Sequence, residues 1–219
     1  MELPTIPIEW TPAVRIASMR QTPEAAFERI ADAAEAAAIL EVIAAGRPPR
    51  VAPEAAAVGE GAGWIMAAFL RGGAGRFNDE TFGAFYAARE EATAIAEIRF
   101  HYARILRDAR EEHTLFGARL LLADIVAAPV DIRSRASSLS ELYDPDPGRY
   151  GPAQRWAASQ RAAGADGVLY DSVRRAGGQC VALFRPRLVR ACRTGDRLAY
   201  EWDGAQFAAV YTLTPRELP

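Results

Sequence analysis

Lysine is absent from this chain. All 26 basic residues among its 219 are arginine. That excludes Schiff-base chemistry through a lysine amine. Any bound anion must be held by guanidinium groups, backbone amides or hydroxyls. The accompanying wealth of alanine and glycine points to genomic base composition as the origin of the bias. Cysteine and histidine are scarce: Cys180, Cys192, His101 and His113 are the full set. None are grouped at zinc-ligand spacing, so no metal site is expected, and nothing in their spacing suggests a Cys–His nucleophile. There is no basic excess. Against 26 arginines stand 28 acids, for a formal net charge of -2. A general binder of nucleic-acid backbone normally carries surplus positive charge, so direct nucleic-acid binding is not expected. No apolar run reaches the length of a membrane span. Met1–Trp10 lacks the basic-then-apolar order of a secretory signal. The expected location is the reducing cytoplasm.

What is present suits one soluble domain with a sizeable core. Half the residues are hydrophobic and a quarter are charged. Ala13 to Ala17 reads as a first strand. Thr22-Pro23-Glu24 reads as a helix start, with a capping hydroxyl, a proline in the first turn and an acid at the positive dipole end. That helix is expected to run to about Ala45, where Gly46 and Pro48-Pro49 stop it. A short apolar piece follows at Trp64 to Leu70, and a strand is expected at Ala84 to Ala88. A long helix from Glu90 to Glu112 is expected to bury Ala94, Ile98, Tyr102, Ile105 and Leu106. Thr93, Glu97 and His101 lie four apart on one side of it. Further strands are read at Arg119–Val126, Gly167–Tyr170 and Cys180–Phe184, with strand-like runs between Arg197 and Leu213. Ser138–Tyr143 reads as a short helix, Asp144–Gly148 as a turn, and Pro152–Ala163 as a helix ending at Gly164. The mixed order is that of an α+β fold in one domain, residues 1–219, with residues 22–75 as an N-terminal helical elaboration.

Arg71 to Asn78 is rich in glycine and arginine. Glycine permits close backbone approach to a ligand, and arginine offers paired donors. The segment lacks the Gly-Lys-Ser/Thr of a phosphate-binding loop, and on spacing alone an exposed turn is the favoured reading. Ser172 follows a strand but sits in no Gly-x-Ser-x-Gly elbow, so serine-hydrolase chemistry has no support. Taken singly, Glu97 reads as a solvated helix face, Ser172 as a turn hydroxyl, Tyr86 as core and His101 as structural.

Three segments in this order carry a family pattern. The first is Gly75-Arg76-Phe77-Asn78 with Phe82-Gly83-Ala84-Phe85-Tyr86-Ala87-Ala88. The second is Glu91 to Glu97. The third is Ala165-Asp166-Gly167-Val168-Leu169-Tyr170-Asp171-Ser172-Val173-Arg174, followed by Gly177 to Phe184. The chain thereby resembles the RES-domain family, named for an Arg, a Glu and a Ser, with the core match spanning about residues 64–184. The resemblance implies an ADP-ribosyltransferase-like core of small antiparallel or mixed sheets flanked by helices. It implies the toxin of a bacterial toxin–antitoxin pair that consumes NAD by cleaving its nicotinamide–ribose bond. Catalytic roles carry over to Glu97, Arg76 and Ser172. NAD-binding roles carry over to Arg15, Arg76, Asn78, Tyr86 and Ser172. Arg20 competes with Arg15 for the first-strand arginine, because the 61-residue gap from Arg15 to Arg76 is longer than in compact members. Phosphate, water and a protein side chain all stay open as acceptors. NAD degradation is the first reading and mono-ADP-ribosylation of a host protein the second. A binding module without catalysis and a nucleic-acid-cleaving toxin rank below both. The implied partner is an antitoxin with a helix-turn-helix element.

Overall fold

Eight strands hydrogen-bond in the order β4-β5-β6-β2-β1-β3-β7-β8 in a computed structural model of the chain. Residues 3–19, 57, 59–70 and 73–214 are described. The expected helix from Thr22 to Ala45, and Arg20 with it, lies outside them. The strands are β1 (Ile8–Ser18), β2 (Phe85–Ala88), β3 (Thr114–Ala127), β4 (Val130–Asp131), β5 (Gly167–Asp171), β6 (Gln179–Leu183), β7 (Val189–Trp202) and β8 (Phe207–Leu213). The helices among the described residues are α1 (Ala62–Leu70), α2 (Glu91–Asp108) and α3 (Gly151–Ala162). The architecture is α+β, as the alternating patterns indicate. The apolar piece at Trp64–Leu70 forms most of α1.

The chain divides into two compact units. One comprises residues 1–15, 50–97 and 122–193, and the other residues 16–49, 98–121 and 194–219. In the first, β2, β5 and β6 form an antiparallel group. Phe85 to Ala88 pair with Leu183 to Cys180, and Gly167 to Asp171 pair with Leu183 to Gln179. Short β4 adds in parallel to β5. Val168, Leu169, Val181, Ala182 and Leu183 are fully buried, which matches their near-continuous apolar runs. Gly83 lets the chain enter β2, because a Cβ there would lie 2.3 Å from the Phe69 carbonyl oxygen. Helix α3 ends where Gly164 adopts φ +94°, with Gly164 N donating to Arg161 O and Ala165 N to Gln160 O. This paired closure is the reason a glycine stands there.

In the second unit, β7 and β8 pair as a hairpin, with Trp202 opposite Phe207. Phe116, Tyr200, Trp202 and Phe207 interlock edge to face, and Trp202 Nε1 donates to Glu111 O at 2.8 Å. Two expectations need correction here. Helix α2 stops at Asp108, short of Glu112. Arg110 takes φ 55°, Arg110 N donates to Arg107 O and Glu111 N to Leu106 O, so a left-handed cap closes the helix without a glycine to announce it. Ile105, expected in the buried stripe, is 46% exposed, whereas Ala103 and Leu106 are buried. The inward face passes through Ala103 at that turn, a residue too small to stand out in a pattern of large apolar side chains.

Candidate active site

Glu97 lies on the part of α2 that belongs to the first unit. Its Oε1 accepts a 2.6 Å hydrogen bond from Ser172 Oγ. Ser172 follows β5 directly and is itself buried. Its hydroxyl is fixed from the other side, because Oγ accepts from Arg174 N at 3.0 Å and Arg175 N at 3.1 Å. Two amide donors on one hydroxyl oxygen polarise its O–H toward the carboxylate. The turn is closed by Ser172 N donating to Gly178 O at 2.8 Å. Gly178 presses against α2, since a Cβ there would lie 2.6 Å from Thr93 Oγ1. Arg175 Nη1 bridges to Glu90 Oε2 at 3.0 Å and Thr93 Oγ1 at 3.2 Å. The first turns of α2 and the chain after β5 are thus locked together, and Glu97 with Ser172 is the product. The spacing of Thr93 and Glu97 therefore has a use: Thr93 packs the turn and Glu97 holds its serine.

Beneath this pair lies a buried polar patch that the sequence reading missed. Cys180 Sγ lies 3.9 Å from Glu97 Oε1. Burial first, and the Glu97 charge second, push its thiol well above the ordinary range. Tyr170 stands opposite Cys180 in the sheet register. Its phenol is also pushed up by burial, then by the negative forms of Cys180 and Glu97. Both side chains are neutral at physiological pH, so on this side Glu97 faces weak donors. Both lie in apolar strand runs, where a cysteine and a tyrosine read as ordinary core.

Arg76, Asn78 and Tyr86 form a second group. Tyr86 Oη donates to Asn78 Oδ1 at 2.8 Å and accepts from Phe77 N at 2.8 Å. Asn78 Nδ2 donates to the carbonyls of Gly73, Asp79 and Phe82. Gly75 N donates to Asn78 O at 2.9 Å. From Gly73 to Asn78 the chain is therefore a closed turn whose amides at Gly75 and Phe77 are engaged internally. Glycine at position 75 follows from crowding, as a Cβ would meet Tyr86 Oη at 2.6 Å. Burial pushes the Tyr86 phenol far up against the opposing pull of Arg76 and Arg15.

The Arg76 side chain is only 6% exposed. Nη1 donates to Leu142 O at 3.1 Å and Asp144 O at 2.6 Å, and Nη2 to Tyr150 Oη at 3.3 Å. The guanidinium carbon sits 4.4 Å from the centre of the Tyr150 ring. Arg76 thus anchors the loop between β4 and α3.

Arg15 is placed differently. Val14 stands opposite Ala88 in β2, so it shares a sheet face with Ala88, Tyr86, Cys180 and Tyr170. Arg15, the next residue, points to the other face, where its guanidinium carbon lies 5.1 Å from the centre of the Phe85 ring. Its Nη1 reaches the Tyr86 carbonyl at 2.8 Å. The structure therefore brings Glu97 directly onto Ser172, joins Arg76, Asn78 and Tyr86 through one loop and one ring, and sets Arg15 behind Tyr86. Among the described residues no group of Cys, His, Asp and Glu is arranged to hold a metal ion. None of their helices is long and apolar enough to cross a membrane.

The RES-domain family model matches residues 47–203, which is more than two thirds of the chain. The chain belongs to the RES-domain family. No curated protein matches it. A solved structure of the M. tuberculosis MbcT–MbcA toxin–antitoxin complex is similar at 17% identity. That match covers 96% of this chain and 87% of the other, with a TM-score of 0.48.

Proposed function

We propose that this chain is the toxin of a bacterial toxin–antitoxin pair and that it degrades NAD by breaking the nicotinamide–ribose bond. The observation that carries this reading is the Glu97–Ser172 pair, held by two backbone amides, in a chain of the RES-domain family. Cleavage of a glycosidic C–N bond sends its electron pair to the departing nicotinamide and leaves positive charge on the ribose ring and its anomeric carbon. A fixed carboxylate stabilises that developing charge. Glu97 takes this role as the catalytic residue. Ser172 holds one carboxylate oxygen, which leaves the other for ribose hydroxyls or for the incoming nucleophile. Phosphate or water then completes the transfer at the same carbon, and the proton of that nucleophile passes to Glu97 or to solvent.

Arg76 acts by holding the loop from Leu142 to Tyr150, and Asn78 by fixing the Tyr86 phenol, so that the Tyr86 ring is set to stack against the nicotinamide. Arg15 braces the Tyr86 backbone and, with Arg76, keeps the potential there positive. The partner is an antitoxin with a helix-turn-helix element that occludes this site. Production of the chain without an antitoxin is expected to deplete cellular NAD and arrest growth, and Glu97→Gln to abolish both. Growth arrest with an intact NAD pool would overturn the proposal.

A further inference from the structure

We infer that Cys180 is a positioning residue whose thiol fixes the rotation of the Glu97 carboxylate, which rests on the NAD-cleaving reading above. Two donors reach the same carboxylate oxygen. Glu97 Oε1 accepts from Ser172 Oγ at 2.6 Å and from Cys180 Sγ at 3.9 Å. The terminal torsion of a glutamate is broad and nearly two-fold. With one donor alone, the carboxylate swings about that bond and exchanges its two oxygens. A second donor, on a different strand, removes this freedom. It holds Oε1 inward and leaves Oε2 to face the reacting sugar.

The sulfur is a fixed reference for that purpose. Cys180 lies in β6 between β2 and β5, opposite Ala88 on one side and Tyr170 on the other. It is 2% exposed. A side chain packed this closely in a strand paired on both edges cannot follow a moving carboxylate. The Tyr170 phenol hydrogen-bonds the sulfur, and the Phe77 ring packs edge to face on Tyr170 with centres 4.9 Å apart. A sulfur that accepts from a phenol gives its own proton to the remaining acceptor, the carboxylate. Burial keeps both the thiol and the phenol protonated, as donation requires. A thiol is a weak donor, so it sets a direction while leaving most of the negative charge on Glu97.

Two measurements test this on the full chain: infrared spectroscopy of the S–H stretch, and steady-state release of nicotinamide from NAD. Cys192→Ala leaves Cys180 as the sole thiol and so isolates its band. Adding Glu97→Gln is expected to move that band toward higher frequency, because donation to a charged oxygen is lost. An unmoved band overturns the inference, whatever the Cys180 variants do. In turnover, Cys180→Ala is expected to lower kcat by about fivefold with KM nearly unchanged. Cys180→Ser, which puts a donor back on the same Cβ, is expected to recover most of the loss. A cysteine that only fills space predicts the opposite order, since a buried hydroxyl fills it no better than a methyl group. Cys180→Ser no more active than Cys180→Ala, or a loss confined to KM, therefore overturns the inference. An original chain that releases no nicotinamide overturns the NAD-cleaving reading, while the band alone decides whether the thiol holds the carboxylate.

Discussion

Removing one hydroxyl tests how the site is built. Ser172→Ala deletes three hydrogen bonds at once: the 2.6 Å bond to Glu97 and the two accepted from Arg174 N and Arg175 N. A hydrogen bond to a charged group contributes roughly 1.5–3 kcal/mol, and a buried donor left unsatisfied costs about 1–3 kcal/mol. Arg174 and Arg175 are half-buried, so water can reach at least part of the turn, and the low end of that range applies to the two amides. The expected loss of stability is about 3.5–5 kcal/mol, which in a chain of this size lowers Tm by roughly 7–20 °C. The carboxylate is freed to rotate, and kcat for NAD is expected to fall by about 10- to 100-fold with KM nearly unchanged, because Ser172 acts through Glu97. Ser172→Thr keeps the hydroxyl and restores most of both. Thermal unfolding by circular dichroism and steady-state nicotinamide release read the two effects. An unchanged Tm with kcat within about twofold of the original would refute this role, and a rise in KM alone would instead make Ser172 a substrate contact.

Gly178→Ala places a Cβ 2.6 Å from the buried Thr93 Oγ1, so the turn or the start of α2 must move. Overpacking of this kind costs about 1–3 kcal/mol. A lower urea midpoint and reduced NAD turnover are expected, whereas Gly177→Ala, in a position with open space but φ +74°, strains only the backbone. Asp124 is gripped by Arg193 through two 2.7 Å hydrogen bonds, which hold its carboxyl below the usual range. A depressed folded-state pKa gives stability that is present above the unfolded value of about 4 and is lost as pH falls through the folded one. Asp124→Asn should therefore lower Tm at neutral pH, with the difference from the original chain shrinking below about pH 4. A constant difference across that range would contradict the pairing.

The elements that sequence patterns reveal best here are those with strong punctuation. Gly164 ends α3 where expected, and the apolar runs at Gly167–Tyr170 and Cys180–Phe184 are the strands β5 and β6, each to within a residue. The end of α2 is illegible because Arg110 takes a left-handed conformation that sequence assigns to glycine. Residues 189–196, at the start of β7, place Arg190, Thr194 and Asp196 on the exposed side and Arg193 on the other, and so give no apolar run. At the site, Glu97 and Ser172 are far apart in sequence, and only the family pattern joins them; the structure adds the 2.6 Å contact. The contributions of Tyr150, Tyr170, Cys180 and Arg174 depend on register and loop closure, which local spacing does not encode. Arg15 shows the converse. Its place in the first strand is readable, but which face it points to is fixed by the pairing of Val14 with Ala88.

The most direct measurement is a mass balance of NAD incubated with the purified chain, with and without phosphate, followed by mass spectrometry beside the Glu97→Gln variant. Nicotinamide should appear mole for mole with NAD lost. Its partner should be ADP-ribose, or ADP-ribose 1″-phosphate when phosphate is the acceptor, and the variant should produce neither. NAD left intact by the folded original chain, or consumed equally by the variant, would contradict the assignment of Glu97 as the group that faces the breaking bond.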